Sequence, residues 1–244
     1  MTSTASQTPS KKPTGKEDEV HWFHCHGDVS LRTTNKIIFK FYSYRLECVS
    51  TVFKDMFEIG GQNTSTGNKR KSPPDADVID VGFNSKVLGI FLDMINVPTP
   101  APPATNFSSS LALYEFCEKF DIHPRLRDII KNRLLQCARY NFAWDLLIWS
   151  AGRDNIEMAR KALERMTSQV FLCPQMYDEN LFRVIIPFWV AMSKLPRDWQ
   201  YDLLRLTLLS PPTMWVYGSH SDHKALMEVT EDWVDVASKF DPSN

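Results

Sequence analysis

Apolar and polar positions alternate in the first part of the chain. Two short runs, 28–31 and 37–41, each place their large apolar side chains on one face at a period of two residues, which is typical of half-buried strands. These positions are Val29 and Leu31 in the first run and Ile37, Phe39 and Phe41 in the second. The polar segment 32–36 joins the runs, so the sequence predicts a β-hairpin, and order is expected to begin just before it, at Val20.

The period then changes to three and four residues, which is typical of helices. The pattern predicts one or two short helices over 46–57, a third strand at 77–81, and a further helix capped by Ser85. The proline-rich segment 98–103 predicts an extended surface loop, because each proline fixes φ and removes a donor. The apolar helix positions are Leu46, Val49, Val52, Phe53, Met56 and Phe57, followed by Leu88, Phe91, Leu92 and Ile95.

Helical stripes continue almost without interruption from Ser108 onward. The segment 121–124 is expected to break them, Asp154 to cap one helix, and Pro187 to kink another. The stripes include Leu113/Phe116/Cys117/Phe120, Leu126/Ile129/Ile130/Leu134, Trp144/Leu147/Ile148, Leu181/Ile185/Phe188/Met192, Trp199/Leu203/Leu206 and Leu226/Val229/Trp233/Val236/Phe240. The predicted fold class is therefore α+β: a short three-stranded sheet covered by helices, followed by an all-helical C-terminal extension.

Composition and charge narrow the class of protein. The 244 residues are 43% hydrophobic, and 28 Lys and Arg residues nearly balance 29 Asp and Glu residues. A globally basic nucleic-acid binder is therefore not expected, nor is a direct nucleic-acid partner. No apolar run is long enough to span a bilayer, and the polar residues 1–19 resemble a disordered tail rather than a signal peptide. We expect a cytoplasmic or nuclear protein without a membrane partner.

Candidate catalytic and metal-binding residues are few. Nine glycines form no phosphate-binding loop, and the five cysteines contain no CxxC pair, so they are interpreted as reduced core thiols. The cluster of His21, His24, Cys25 and His26 contains zinc-ligand types but is followed by no second ligand pair. A second polar cluster, His220, Ser221, Asp222 and His223, lacks a nucleophile elbow and is interpreted as a linker before a helix capped by Asp222. We expect no catalytic residue, no metal, no cofactor and no enzyme activity.

A basic run precedes two prolines. Lys69, Arg70 and Lys71 are a candidate nuclear import signal, and the alternative is a solvated loop whose cations keep the chain soluble. Ser72, which precedes Pro73, is a candidate phosphorylation site, and its modification would reduce the local charge from +3 to about +1. Further along the chain, Arg125, Arg127, Lys131, Arg133 and Arg139 predict a solvated helix face, with a partner-binding face as the alternative.

The ordered set of motifs resembles the start of a BTB/POZ domain, of the divergent type abundant in mushroom-forming fungi. Its early residues include Trp22-Phe23, Gly27-Asp28-Val29, Tyr44-Arg45 and the run Val52 to Phe57, and the motif core is Leu31, Phe39, Leu46, Phe53, Met56 and Phe57. The strand near Val78 and the helices that follow resemble the middle and end of the family pattern. The resemblance covers about 22–166, and beyond this it is loose.

The resemblance implies a non-enzymatic protein-interaction module that homodimerises through its first helix and exposed strands and recruits further proteins. Two alternatives remain open: a substrate adaptor of a cullin-type ubiquitin ligase and a nuclear transcriptional regulator. The family usually has His and a basic residue where this chain has Tyr42 and Ser43, so the charged pocket around Asp28 is incomplete. The segment 96–107 also lacks the Glu that is common in cullin adaptors.

The domain organisation follows from these patterns. We expect a disordered tail over 1–19 and a BTB/POZ-like domain over 20–138. Flexible insertions are expected in that domain at 60–76 and 97–108, and a helical extension at 139–241.

Overall fold

The structure of the protein is a computed structural model, and the residues it describes are 18–62, 78–138, 142–177, 183–209 and 229–242. The described residues form six strands and eleven helices, a mixed α and β composition that confirms the α+β class. The chain divides into two compact units, one comprising Met1–Pro103 with Ala112–Arg127 and the other Ala104–Leu111 with Asp128–Asn244. The division near residue 138 stays a prediction. None of the helices in the described part is long and apolar enough to cross a membrane.

The first unit contains a four-stranded mixed sheet. Its strands are β1 (Glu19–Cys25), β2 (Val29–Arg32), β3 (Ile37–Phe41) and β4 (Val78–Asp80), in the spatial order β1-β3-β2-β4. Strands β2 and β3 are antiparallel, with Leu31 opposite Phe39, which confirms the predicted hairpin. The expected three-stranded sheet is wrong, because β1 adds a parallel edge strand next to β3. Strand β4 pairs in parallel with β2 at the other edge.

Five helices follow or flank this sheet: α1 (Ser43–Glu47), α2 (Thr51–Gln62), α3 (Ser85–Asn96), α4 (Phe107–Lys119) and α5 (Pro124–Ala138). The cap of α3 is Asn84 rather than Ser85, because the Asn84 side chain accepts the Val87 N–H at 3.0 Å. The Ser85 hydroxyl instead accepts a hydrogen bond from Asn35. The proposed motif core is divided: Leu31, Phe39, Leu46 and Phe53 are fully buried, whereas Met56 and Phe57 are half-buried.

The start of α2 is tied to the turn between α4 and α5. The Ser50 hydroxyl accepts the N–H of Phe53 at 3.0 Å and donates to the carbonyl of Phe120 at 2.5 Å. In that turn Asp121 has a left-handed φ of 42°, so the chain leaves the helix at the predicted break. The neighbouring Thr51 hydroxyl donates to the exposed Asp121 carboxylate. Ser50 therefore connects the hydrogen bonding of two helices.

The second unit continues with α6 (Ala143–Ala151), α7 (Ile156–Leu163), α8 (Ser168–Leu172), β5 (Gln175–Tyr177), β6 (Arg183–Ile185), α9 (Phe188–Met192), α10 (Arg197–Thr207) and α11 (Trp233–Lys239). Strands β5 and β6 form an antiparallel pair, so the all-helical extension is wrong. Pro187 does not kink a helix but precedes α9 as its N-cap residue, with extended backbone. The residue before a proline favours extended backbone, and Ile186 accordingly extends the strand pairing by donating its N–H to the Pro174 carbonyl.

Two helix starts in the second unit also differ from the prediction. Asn155, not Asp154, caps α7 by accepting the Met158 N–H at 3.0 Å, and Asp154 takes a left-handed φ of 51° in the preceding turn. The last predicted stripe begins too early, since α11 starts only after Asp232. Val229, which was assigned to that stripe, instead forms an isolated bridge. The Asp222 cap and the stripe position Leu226 lie outside the described residues.

The interior of the second unit is built around Trp144, which is fully buried. Its ring stacks on Phe171 at 5.5 Å between centroids, and its indole N–H donates to the carbonyls of Val170 at 3.0 Å and Phe171 at 3.2 Å. The polar end of a large aromatic side chain is thus satisfied inside the unit.

Candidate functional site: an aromatic protrusion at the sheet edge

The pairing register between β1 and β3 shifts in the middle of β1. Val20 is opposite Ile38, but the next paired position is Cys25 opposite Lys40. Strand β1 therefore advances five residues while β3 advances two, and three extra residues must leave the ladder. Departures of this kind at a sheet edge change the direction in which side chains point. We call residues 21–24 the aromatic protrusion.

The aromatic protrusion exposes two large rings. The Trp22 residue is 84% exposed and Phe23 is 57% exposed, and their rings meet edge to face with centroids 5.6 Å apart. Val20, just before them, is 46% exposed. Single exposed apolar residues are common, but adjacent aromatic side chains on an edge strand are typical of a contact surface. These residues are the strongest candidate interaction site among those described.

His21 holds the backbone of the aromatic protrusion. Its ring stacks on the buried Phe39 ring with centroids 4.2 Å apart. Its Nδ1 atom accepts the backbone N–H of His24 at 3.2 Å and, more weakly, that of Phe23 at 3.4 Å. An imidazole nitrogen accepts only when it carries no proton, so this geometry requires a neutral ring protonated on Nε2.

His24 anchors the other end of the protrusion to α3. It is only 5% exposed, and its Nε2 lies 3.0 Å from Oδ1 of Asp93, whose own side chain is 64% exposed. The His24 ring also lies against Phe39 and Phe41. The four-residue departure from the ladder is thus fixed at both ends by histidine side chains, and the two aromatic rings between them face solvent.

Burial lowers the pKa of His21 below its ordinary value near 6.5. The neighbouring His24 lowers this pKa further, whereas Asp93 opposes the shift. Desolvation disfavours the charged imidazolium, so the ring is held in the neutral form that its hydrogen bonds require.

The histidine and cysteine cluster does not converge on one point. Cys25 Sγ lies 3.1 Å from Nδ1 of the next residue, His26, whereas His21 and His24 face the sheet and α3. In the parts of the chain that the structure describes, no three His, Cys, Asp or Glu side chains are grouped so that they could hold a metal ion. All five cysteines carry free thiols, but Cys48 and Cys173 are exposed, so the prediction of core thiols is wrong for these two. Cys117 is buried, and its burial raises the pKa of its thiol to about 12.

Asp28 accepts two hydrogen bonds from Ser43 at the start of α1. Its Oδ1 accepts the Ser43 N–H at 2.7 Å, and its Oδ2 accepts the Ser43 hydroxyl at 2.6 Å. These bonds, chiefly the one from the hydroxyl, lower the pKa of Asp28 below its ordinary value. Because Ser43 is the first residue of α1 and Tyr42 supplies no cap, the carboxylate satisfies this helix start from another segment.

The start of α1 adds a second group of exposed rings. Tyr42 is 46% exposed and Tyr44 is 56% exposed. Arg45 donates to the Tyr44 hydroxyl at 3.1 Å and to the Asn96 side chain at 2.6 Å. Asn96 lies three residues after Asp93 on α3, and residues at this spacing share a helix face. One face of α3 thus anchors both β1 and α1, and we call the exposed residues of β1 and α1 the edge surface.

Two of the other sequence-based candidates have partners inside the second unit, and several lie outside the described residues. Lys131 pairs with Glu157, and Arg133 donates to the Thr105 carbonyl at 2.7 Å, so these cations of α5 are occupied within their own unit. The import-signal residues Lys69, Arg70 and Lys71, the candidate phosphosite Ser72, the polar cluster His220, Ser221, Asp222 and His223, and Arg139 all lie outside the described residues.

The sequence motif contained Trp22 and Phe23 but gave no sign of how they are held. Asp93 was not among the candidate residues, because it is separated by 69 positions from the histidine it contacts. No family model matches this chain, and no curated protein matches its sequence.

Proposed function

We propose that the chain is a BTB/POZ-like, non-enzymatic protein-interaction module that associates with a second copy of itself through the edge surface. The observation that carries this proposal is the outward presentation of Trp22 and Phe23. These rings are not simply left over at a loop tip, because hydrogen bonds of His21 and His24 fix the backbone on both sides of them. A surface that is both apolar and fixed is prepared for a partner before binding.

The energetics favour burial of these rings. Removing a large apolar side chain from water contributes about 1.5–3 kcal/mol, and Trp is enriched among the residues that dominate interface energies. Strand β1 is also the edge of the sheet, so one side of its backbone is not covered by another strand of that sheet. An edge strand is complementary to its own copy in antiparallel orientation, and a two-fold axis places identical surfaces against each other.

Sedimentation equilibrium of the full-length chain at micromolar concentration tests this proposal. We expect a dimer for the unchanged chain and a monomer for the double variant Trp22→Ser/Phe23→Ser. The matched control is Tyr201→Ser on α10, which removes a residue that is 70% exposed but lies outside the edge surface. A chain that is monomeric throughout contradicts the proposal, as does a dimer that the double variant leaves intact.

Recruitment of further proteins also stays a proposal. The nuclear alternative depends on Lys69 to Lys71, which lie outside the described residues, and the cullin-adaptor alternative gains no support from 96–107, where no Glu occurs.

A further inference from the structure

The aromatic protrusion depends on one protonation state of one ring. His21 Nδ1 accepts the N–H groups of Phe23 and His24 with its in-plane lone pair. When a solvent proton binds at Nδ1, a new N–H bond forms with that same lone pair. The ring then carries a positive charge and presents a donor to two backbone donors. Three like-oriented N–H groups repel one another, so the observed backbone conformation and a protonated His21 exclude each other.

We infer that His21 is a pH-sensitive latch that holds the aromatic protrusion while its imidazole is neutral and releases it when the imidazole is protonated. Release frees the backbone of Phe23 and His24, and with it the orientation of the Trp22 and Phe23 rings. The effect on self-association rests on the proposed function. The local switch in the protrusion does not.

The surroundings of His21 set the direction of the switch. On its own strand it faces His24, with ring centroids 5.4 Å apart, and His24 lowers the pKa of His21 electrostatically. From β3 it meets only the uncharged Phe39 ring, and from α3 the charged group nearby is Asp93. The Asp93 carboxylate favours protonation, but it is largely exposed and already bonded to His24. Partial burial and His24 prevail, in line with the lowered pKa of His21.

The sign of the pH effect follows from this shift. The unfolded or released ring titrates near 6.5, and the latched ring titrates below that value. The latched conformation is therefore fully stabilised above pH 6.5 and is weakened as the pH falls from there through the lower value. Between these two values, one proton taken up per released chain changes the ratio of released to latched forms by about tenfold per pH unit.

His21→Asn is the informative variant. The Asn side-chain oxygen can occupy the place of Nδ1 and accept a backbone N–H, but it does not titrate. The matched control is His26→Asn, which removes an exposed imidazole directly after β1 whose Nδ1 lies against the Cys25 thiol rather than a backbone N–H of the protrusion. Both variants are made in the full-length chain.

The first measurement is local. Nitrogen-15 NMR of the imidazole rings follows His21, assigned by its loss in the His21→Asn variant, together with the backbone amides of Phe23 and His24 from pH 7.5 to 5.0. We expect an unprotonated Nδ1 at pH 7.5, a pKa below 6.5, and amide shifts of both residues that follow the same titration. The latch is overturned if His21 is protonated on Nδ1 at pH 7.5, or if the amide shifts of Phe23 and His24 do not change with the titration of His21.

The second measurement is the dimer dissociation constant by sedimentation over the same pH range. As the pH falls below 6.5, we expect the dissociation constant of the unchanged chain to rise by up to about tenfold per pH unit for each chain that must stay latched. The same rise is expected in His26→Asn. The dissociation constant of His21→Asn is expected not to change with pH. If the unchanged chain forms a dimer whose dissociation constant is as independent of pH as that of His21→Asn, the latch is overturned while the proposed function stands. A monomer at every pH whose amides still follow His21 overturns the proposed function and supports the latch.

Discussion

Replacing Ser50 with Ala removes a hydroxyl that serves two helices at once. Ser50 is 3% exposed, so water cannot take the place of its bonds. Its hydroxyl caps the Phe53 N–H at the start of α2 and donates to the Phe120 carbonyl at the end of α4. The change therefore removes a cap and leaves a buried acceptor without its donor.

The magnitude follows from these two losses. An N-cap serine replaced by alanine costs about 1 kcal/mol, and a buried polar group left without its partner costs about 1–3 kcal/mol. We expect the free energy of unfolding to fall by about 2–4 kcal/mol in Ser50→Ala. Against a typical total of about 5–15 kcal/mol, this is a large loss.

Urea denaturation followed by circular dichroism measures the effect. The neighbouring variant Thr51→Ala is the control, because its hydroxyl bonds to an exposed carboxylate in the same turn and we expect it to cost less than about 1 kcal/mol. Equal losses in the two variants would refute the reasoning, since burial of the Ser50 bonds is what distinguishes them.

Three further changes test other parts of the first unit. Gly27 has φ +151°, and a Cβ there would lie 2.0 Å from the Phe41 carbonyl oxygen, so Gly27→Ala should prevent normal folding as judged by thermal melting. Gly89→Ala should be neutral or slightly stabilising, because its Cβ would meet only the Phe39 ring at 3.7 Å in a helix. The lowered pKa of Asp28 predicts a contribution to stability that is present above pH 3.8 and lost as the pH falls through the lower folded value. Acid unfolding of Asp28→Asn should therefore show a smaller pH dependence below 3.8, and an unchanged dependence would contradict that assignment.

The regular parts of the fold could be predicted because each obeys one period. The β2–β3 hairpin has apolar residues at every second position, and α3 and α5 have them at every third and fourth. The edge strand β1 lacks such alternation, since its three extra residues put Trp22 and Phe23 outward in succession. The spacing of Ile185 and Phe188 predicts a helix across β6, although Pro187 between them favours extended backbone in the residue before it.

The candidate site could be predicted only in its residue types. Tandem aromatic residues and a histidine cluster are visible in the sequence, but the pairing of His24 with Asp93 requires the packing of β1 on α3. The role of Asp28 also depended on tertiary structure. The resemblance implied a charged partner for Asp28, whereas its carboxylate accepts the hydroxyl and N–H of Ser43 at the start of α1.

The division of the chain into two units has a practical consequence for dissecting the protein. Each unit is made of two separate stretches, because 104–111 belongs with the second unit while 112–127 returns to the first. Helices α4 and α5 each contain a crossing point between the units. No single cut in the backbone leaves both units whole. A deletion fragment that ends near residue 103 or 127 therefore lacks part of one unit or carries part of the other, and its loss of stability or binding cannot be assigned to one unit.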